Sequence, residues 1–361
     1  MFNFVKIYEK QSMAQQLTIK QIAEKAGVSV GTVDRILHNR GNVSAEAKKA
    51  VQAVLEKYEY RKNLHTSAVA FKKTGKSIKL AAMIPFSNEG EYWWLIKEGL
   101  DRGLKEYNDI SISCQYSYFN QLDSYSCTKA FDEILSGDFS AVIIAPTFVE
   151  ETRDFCAELD KRSIPYIFVD GKIPESNPIA TYMANQDSCG RLMARMIDAF
   201  TPCGGVAIFL PKRVGSLMSN NSLARKESFI NHYASINPAR PLSECYYTVD
   251  NPQSSAAEMR EFLDNNPDIK GIAVMISTGY VVSDALSAID RDDIVVGGYD
   301  ITLGNERCIK DGTLTFVINQ HPEQQGFNAI ESVLHYLIYG TLDCTIPDQF
   351  PIDVVLKENI S

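Results

Sequence analysis

Val30, Gly31, Asp34, Arg35 and His38 stand at offsets 0, 1, 4, 5 and 8, the spacing of one helix face. Their chemistry is hydrogen bonding rather than bond making. An arginine there pairs bidentately with a guanine edge, and a carboxylate accepts from a cytosine amine. Phosphate contact is the equal alternative for Arg35, and His38 reads as a backbone-contacting or solvated residue. A second set of polar and aromatic residues is scattered along the chain, each member just after an apolar run: Ser87, Asn88, Glu89, Tyr92, Trp93 and Trp94 after the first, then Asp170, Ser277 with Thr278, Asp300 and Gln320. Arg225 opens a helix after another such run. Asp and Arg hold adjacent hydroxyls through charge-assisted hydrogen bonds, and both tryptophans fall in one loop, suited to the C–H face of a sugar ring. Singly each is a cap or turn residue; only a shared position makes the set a site.

The elements that must position these residues follow from spacing. Thr18 caps a helix ending at Ala26 with Gly27 as its stop, Ser29 caps a second over Val30 to about His38, and Ser44 caps a third carrying Ala47, Val51, Val54, Leu55 and Tyr58 at helical spacing. Val33, Ile36 and Leu37 turn inward, Ala23 permits a close crossing, and the first two helices form a helix-turn-helix. From Ile78 short apolar strands alternate with helical stretches. The strands are expected at Lys79–Ile84, Ile110–Tyr116, Ala141–Ala145, Tyr166–Val169, Val206–Leu210, Gly271–Ile276, Ile294–Gly298 and Phe316–Ile318. Such alternation predicts parallel sheets with helices on both faces, whose ligands sit beyond the carboxyl ends of the strands.

Charge divides the chain in the same place. The 361 residues carry a net charge of −9, yet residues 17–79 hold thirteen Lys and Arg against five acids, and residues 1–16 add +1, leaving −18 for residues 80–361. That asymmetry predicts a nucleic-acid-binding head on an acidic body; a merely solvated basic face is the bland alternative. The eight cysteines stand singly, without a C-x-x-C pair, and the five histidines show no ligand spacing, so neither metal nor disulfide framework is expected. Glycine-rich phosphate loops and hydrolase or metalloprotease signatures are missing, so no catalytic residue, cofactor or enzyme activity is expected. No apolar run reaches the ~18 residues of a membrane span. The N-terminal stretch lacks a cleavable leader pattern, which predicts a cytoplasmic protein; residues 1–16 read as a disordered extension, with Met13 an alternative start.

The stretch from Leu17 to Asn63, LTIKQIAEKAGVSVGTVDRILHNRGNVSAEAKKAVQAVLEKYEYRKN, resembles the DNA-binding head of the LacI/GalR family of bacterial repressors. The resemblance implies that Val30, Gly31 and Arg35 face bases, and that Thr18, Ser29, Thr32, Asp34, His38 and Asn39 complete the DNA-contacting set. Asp34 stands where the family has serine; phosphates repel a carboxylate, so Asp34 reads a base or props Arg35. In the family a hinge helix after the head wedges a leucine into the minor groove. Val69 falls at that position, with Lys72 and Lys73 placed to hold flanking phosphates. A weaker kink, a wedge by Phe71, and a plain basic linker are the alternatives.

From Ile78 to about Leu356 the chain resembles the two-lobed periplasmic-sugar-binding-protein fold, type I, the effector domain of the same repressors. The anchors are IPYIFVDGK, LARKESF, VVGGYD and INQHPEQQGFNA. They imply Asp170, Arg225, Asp300 and Gln320 as ligand contacts, beside Ser87, Asn88, Glu89, Tyr92, Trp93 and Ser277 from strand ends. Gly171 stands where a cation often follows the first aspartate. The expected organisation is an all-α helix-turn-helix head at 17–62, a hinge at 63–77 and an α/β body at 78–356. One lobe would take about 78–185 and 319–345 and the other about 186–318 and 346–356, with crossings near Asn185, Asn319 and Thr345. The resemblance implies a homodimeric transcriptional repressor that binds double-stranded operator DNA and senses a small sugar-type effector. The alternatives are a solute-binding protein of sugar transport and a regulator sensing a non-sugar metabolite such as a purine.

Overall fold

Thr18 and Gln21 bracket the start of the first helix among the described residues. The Thr18 hydroxyl accepts from the Gln21 backbone N–H, and the Gln21 side chain accepts from the Thr18 N–H at 2.8 Å. This reciprocal pair satisfies two donors that a helix start leaves open. The computed structural model describes residues 17–37, 43–58, 77–108, 111–213, 220–342 and 349–360. The head consists of α1 (Ile19–Ala26), α2 (Val30–Leu37) and α3 (Ala45–Lys57). Gly27 ends α1 in the left-handed region at φ 66°, a conformation glycine adopts without a Cβ penalty. Ser29 and Ser44 accept from the N–H groups of Thr32 and Ala47, three residues on, as their types predict. Ile22, Ala23, Val33, Val51 and Val54 form the buried core of the head. Lys25 lies over the Tyr58 ring, 4.6 Å from its centroid, and ties the end of α1 to the end of α3.

The body is built from twelve strands and nine helices among the described residues. Its first half runs β1 (Ile78–Pro85), α4 (Tyr92–Glu106), β2 (Ile112–Phe119), α5 (Ser124–Leu135), β3 (Ala141–Ile144), α6 (Val149–Lys161), β4 (Tyr166–Val169) and β5 (Ala180–Ala184). After α7 (Gln186–Phe200) come β6 (Gly205–Pro211), α8 (Asn220–Ile236), β7 (Leu242–Tyr247), α9 (Pro252–Asn265), β8 (Ile269–Val274), α10 (Gly279–Ser287), β9 (Val295–Tyr299), α11 (Leu303–Asp311) and β10 (Phe316–Asn319). The chain closes with α12 (Pro322–Tyr339), β11 (Gln349–Phe350) and β12 (Asp353–Val355).

Two six-stranded sheets result, ordered β11-β5-β4-β3-β1-β2 and β12-β10-β9-β8-β6-β7. The order repeats strand for strand, except that β11 joins parallel to β5 whereas β12 joins antiparallel to β10. Central strands are buried on both faces. Along β6, Ala207 and Phe209 enter one apolar cluster while Val206, Ile208 and Leu210 enter another. Each large buried side chain contributes about 1.5–3 kcal/mol. In the first sheet Ala81 and Met83 of β1 pack with Phe155, Tyr166 and Phe168.

The expected strands all form, Tyr166–Val169 with the bounds expected and the others with shifted ends: the second runs Ile112–Phe119 rather than Ile110–Tyr116. Three sequence readings need correction. Trp93 and Trp94 sit in the first turn of α4, not in a loop, because Tyr92, Trp93, Ile96, Gly99 and Leu100 recur at helical spacing and are buried. Arg225 lies in the second turn of α8, which starts at Asn220. The third crossing between sheets falls at 351–352, beyond Thr345, since Gln349–Phe350 still pairs with β5. Pro351, lacking an N–H, cannot extend that ladder.

Candidate functional site

The carboxyl ends of the two sheets face a common cleft. Asp170 follows β4 and Asp300 follows β9, matching positions in the two strand orders. Both adopt left-handed backbone, φ 62° and 61°, which aspartate tolerates better than most residues. The turns are secured by Asp170 N–H donating to Tyr182 O at 2.8 Å and Asp300 N–H donating to Ile318 O at 3.0 Å. The two carboxylates then diverge in role. Asp170 lines the cleft and accepts from the Tyr92 hydroxyl at 2.5 Å. Asp300 is fully buried. It accepts from Ser277 Oγ at 2.6 Å and from the Gln320 backbone and side chain at 3.0 and 2.8 Å.

Arg225 joins these parts. Its Nε donates to Gln186 Oε1 at 2.5 Å, Nη1 to Met275 O at 3.0 Å and Nη2 to Gln320 Oε1 at 2.6 Å. The guanidinium lies over the Tyr299 ring, 4.2 Å from its centroid. Close packing of α8 on α7 sets this position: a Cβ on Gly190 would stand 2.4 Å from Arg225 O. Burial pushes the Asp170 carboxyl up to about 7, against the pull of Arg225 and the Tyr92 hydrogen bond. Burial also raises Asp300, opposed by Ser277 and Arg225, and lifts the Tyr92 phenol well above its ordinary range, with Asp170 adding to the effect. Asp170 is thus an acceptor or a donor according to pH, a property suited to a ligand hydroxyl.

Of the residues expected at this site, Ser87, Tyr92, Trp93, Asp170, Arg225 and Ser277 line the cleft. Asp300 and Gln320 lie behind Arg225 as its support, buried and hydrogen-bonded. Asn88 and Glu89 are corrections: both are exposed and outside the lining, because the β1–α4 turn carries them outward before the chain re-enters at Glu91. Trp93 is buried and donates from Nε1 to Gln121 Oε1 at 2.7 Å. Sequence reasoning missed Gln121, Thr147, Arg213, Asn221 and Tyr280, which also line it. Gln121, Thr147 and Arg213 follow strand ends, so the same rule would have found them. Gln121 escaped because β2 was expected to stop at Tyr116.

The lobes meet directly across the cleft. Asn221 of α8 donates to Asp170 O, and Arg213 donates to Gln121 O. Tyr280 donates to Glu91 Oε1 at 3.3 Å, and Leu303 N–H donates to Gly90 O at 2.9 Å. A Cβ at Gly171 would come 3.1 Å from Pro146 and 3.6 Å from Asn221 Oδ1, tight quarters for any larger side chain.

In the head, α2 turns Val33 inward and leaves Val30, Gly31 and Arg35 exposed, with Thr32 and Asp34 half-buried. Arg35 Nε donates to Gly31 O at 3.1 Å. Thr18 and Ser29 are exposed caps. His38, Asn39 and Val69 lie outside the described residues.

Fold and site together define a two-lobed ligand-binding body carrying a helix-turn-helix head. The family profile "Periplasmic binding protein domain" matches residues 81–341, and "Bacterial regulatory proteins, lacI family" matches 18–63. The chain belongs to the periplasmic binding protein domain family and carries the lacI-family head. It is 29% identical over 181 residues to the ribose operon repressor of Lactococcus lactis, covering 50% of each chain. The match thus spans about half the length of that curated relative. A solved structure from Bacteroides fragilis assigned as a LacI transcriptional regulator aligns at TM-score 0.74 with 28% identity, over 79% of this chain and 99% of that one. A glucose-galactose binding protein from Geobacillus stearothermophilus aligns at TM-score 0.68 with 18% identity, over 79% of this chain and 99% of that one, a likeness of fold alone. Among the described residues no helix is long and apolar enough to cross a membrane.

Proposed function

We propose that this protein is a DNA-binding transcriptional regulator, a repressor, whose operator affinity is set by a sugar-type effector held between the two lobes. The observation that carries the reading is the pairing of a lacI-family head with a cleft lined by Asp170, Arg225 and hydroxyl side chains. In this reading Val30, Gly31, Thr32, Asp34 and Arg35 meet the major groove, Thr18 and Ser29 meet phosphates, and Val69 enters the minor groove. Two heads of a cytoplasmic homodimer bind half-sites about one helical turn apart. The effector changes DNA affinity only so far as it favours one lobe arrangement over another. No step calls for catalysis or a cofactor.

Mobility-shift titration of the protein on its own upstream DNA tests the first part. Retardation with affinity that falls steeply with salt is expected; no retardation on any upstream fragment sinks it. Arg35→Ala should cost about 1–3 kcal/mol on the operator if it reads a base, and equal losses on operator and random DNA make it a phosphate contact. A thermal-shift panel tests the effector: stabilisation by a sugar supports the reading, and stabilisation by a purine alone overturns it. The solute-binding alternative rests on the body's likeness to sugar-binding proteins and leaves the head without a role.

A further inference from the structure

Arg213 is the cation of the cleft that the site as described leaves unmatched. It follows β6 in the second lobe and reaches the first, where its guanidinium stacks over the buried Phe148 ring at 4.8 Å from the centroid. One amine donates to the Gln121 carbonyl. Its Nε is shielded from solvent and has no hydrogen-bond partner among the described residues. The neighbouring cations are matched: Lys212 pairs with Glu258 at 2.7 Å, and Arg225 sits between two aspartates. No described carboxylate pairs with Arg213, and residues 214–219, which follow it, contain no Asp or Glu. Burial, with nothing to offset it, lowers the Arg213 pKa to about 10. A half-buried charge whose Nε is shielded and which has no counter-ion still carries a desolvation cost, and that cost is relieved when a ligand brings the missing anion.

The acids on the cleft wall do not meet this demand. Glu91 accepts from Asn88 N–H at 3.1 Å and from the Tyr280 hydroxyl at 3.3 Å, while Asp170 faces Tyr92 and Arg225. Ser87, Thr147, Asn221 and Ser222 supply neutral donors and acceptors on the remaining wall, suited to hydroxyls. A guanidinium presents parallel donors that fit a carboxylate or phosphate edge. We infer that the cleft takes an anionic sugar, a polyhydroxyl body bearing a carboxylate or phosphate, with Arg213 as the residue that selects the charge. The inference rests on the proposed sugar reading and narrows it.

Calorimetric titration of the full chain with matched probes tests it: D-glucose and D-galactose, their uronates, D-gluconate, and D-glucose 6-phosphate. At least one acidic probe should bind tenfold to a hundredfold more tightly than its neutral parent, equivalent to about 1.4–2.8 kcal/mol. The uronate and phosphate arms identify which anion is held. Arg213→Met should shrink the preference to within about threefold, while Arg213→Lys retains part of it; urea unfolding of both variants checks that the fold is kept. A neutral sugar binding as tightly as its acid, or a preference that survives in Arg213→Met, overturns the inference and leaves the sugar reading standing. Absence of binding by every sugar, neutral or acidic, overturns both.

Discussion

Replacing Arg225 by methionine should expose how the cleft is held together. The side chain is 4% exposed and makes three hydrogen bonds, to Gln186, Met275 and Gln320. Methionine keeps much of the bulk but strands those acceptors and leaves Asp170 and Asp300 without their shared cation. Removing one partner of a buried ionic set costs about 3–5 kcal/mol, and the three lost bonds are part of that figure because contacts within one network do not add. The loss should depend on pH. The Asp170 carboxyl lies at about 7 in the native protein, above its unfolded value of 3.8, and Arg225 holds it down. A native group that keeps its proton more tightly than the unfolded chain loses stability as pH rises through that window. In the wild type this loss levels off above about pH 7; in Arg225→Met it continues to higher pH. The destabilisation should therefore be larger at pH 8.5 than at pH 6. Urea unfolding followed by tryptophan fluorescence reads this directly, since both tryptophans lie in α4. A cost below about 1 kcal/mol, or one equal at both pH values, refutes the account of Arg225 as the buried counter-ion.

Two further outcomes follow from the same geometry. Asp170→Asn keeps a residue that tolerates the left-handed turn and removes the titrating group, so the stability decline between about pH 4 and 7 should flatten in urea midpoints measured across that range. Gly190→Ala places a Cβ 2.4 Å from the Arg225 carbonyl and 2.8 Å from Ser228 Cβ. Forcing α7 and α8 apart should lower unfolding free energy by about 1–3 kcal/mol, read by the same urea titration, and weaken effector binding by shifting the Arg225 guanidinium.

Much of this molecule is set locally, and local features are legible in a sequence. The head's caps at Thr18, Ser29 and Ser44 are three-residue interactions, and Gly27 ends its helix by a backbone preference of its own. The body's strands declare themselves because strands buried on both faces must be continuously apolar, as in Gly205–Pro211. Asp170 was recognisable as a cleft residue from its place directly after a strand, and Arg225 from the LARKESF stretch that carries the resemblance. Tertiary structure alone separated Asp170, which meets the cleft, from Asp300, which lies behind it: both end equivalent strands, and only the packing of Gln320 and Ser277 around the second removes it from the lining. It alone carried Arg213 from one lobe onto Phe148 of the other, since no local spacing encodes a contact between residues 65 apart that meet only when two sheets face each other.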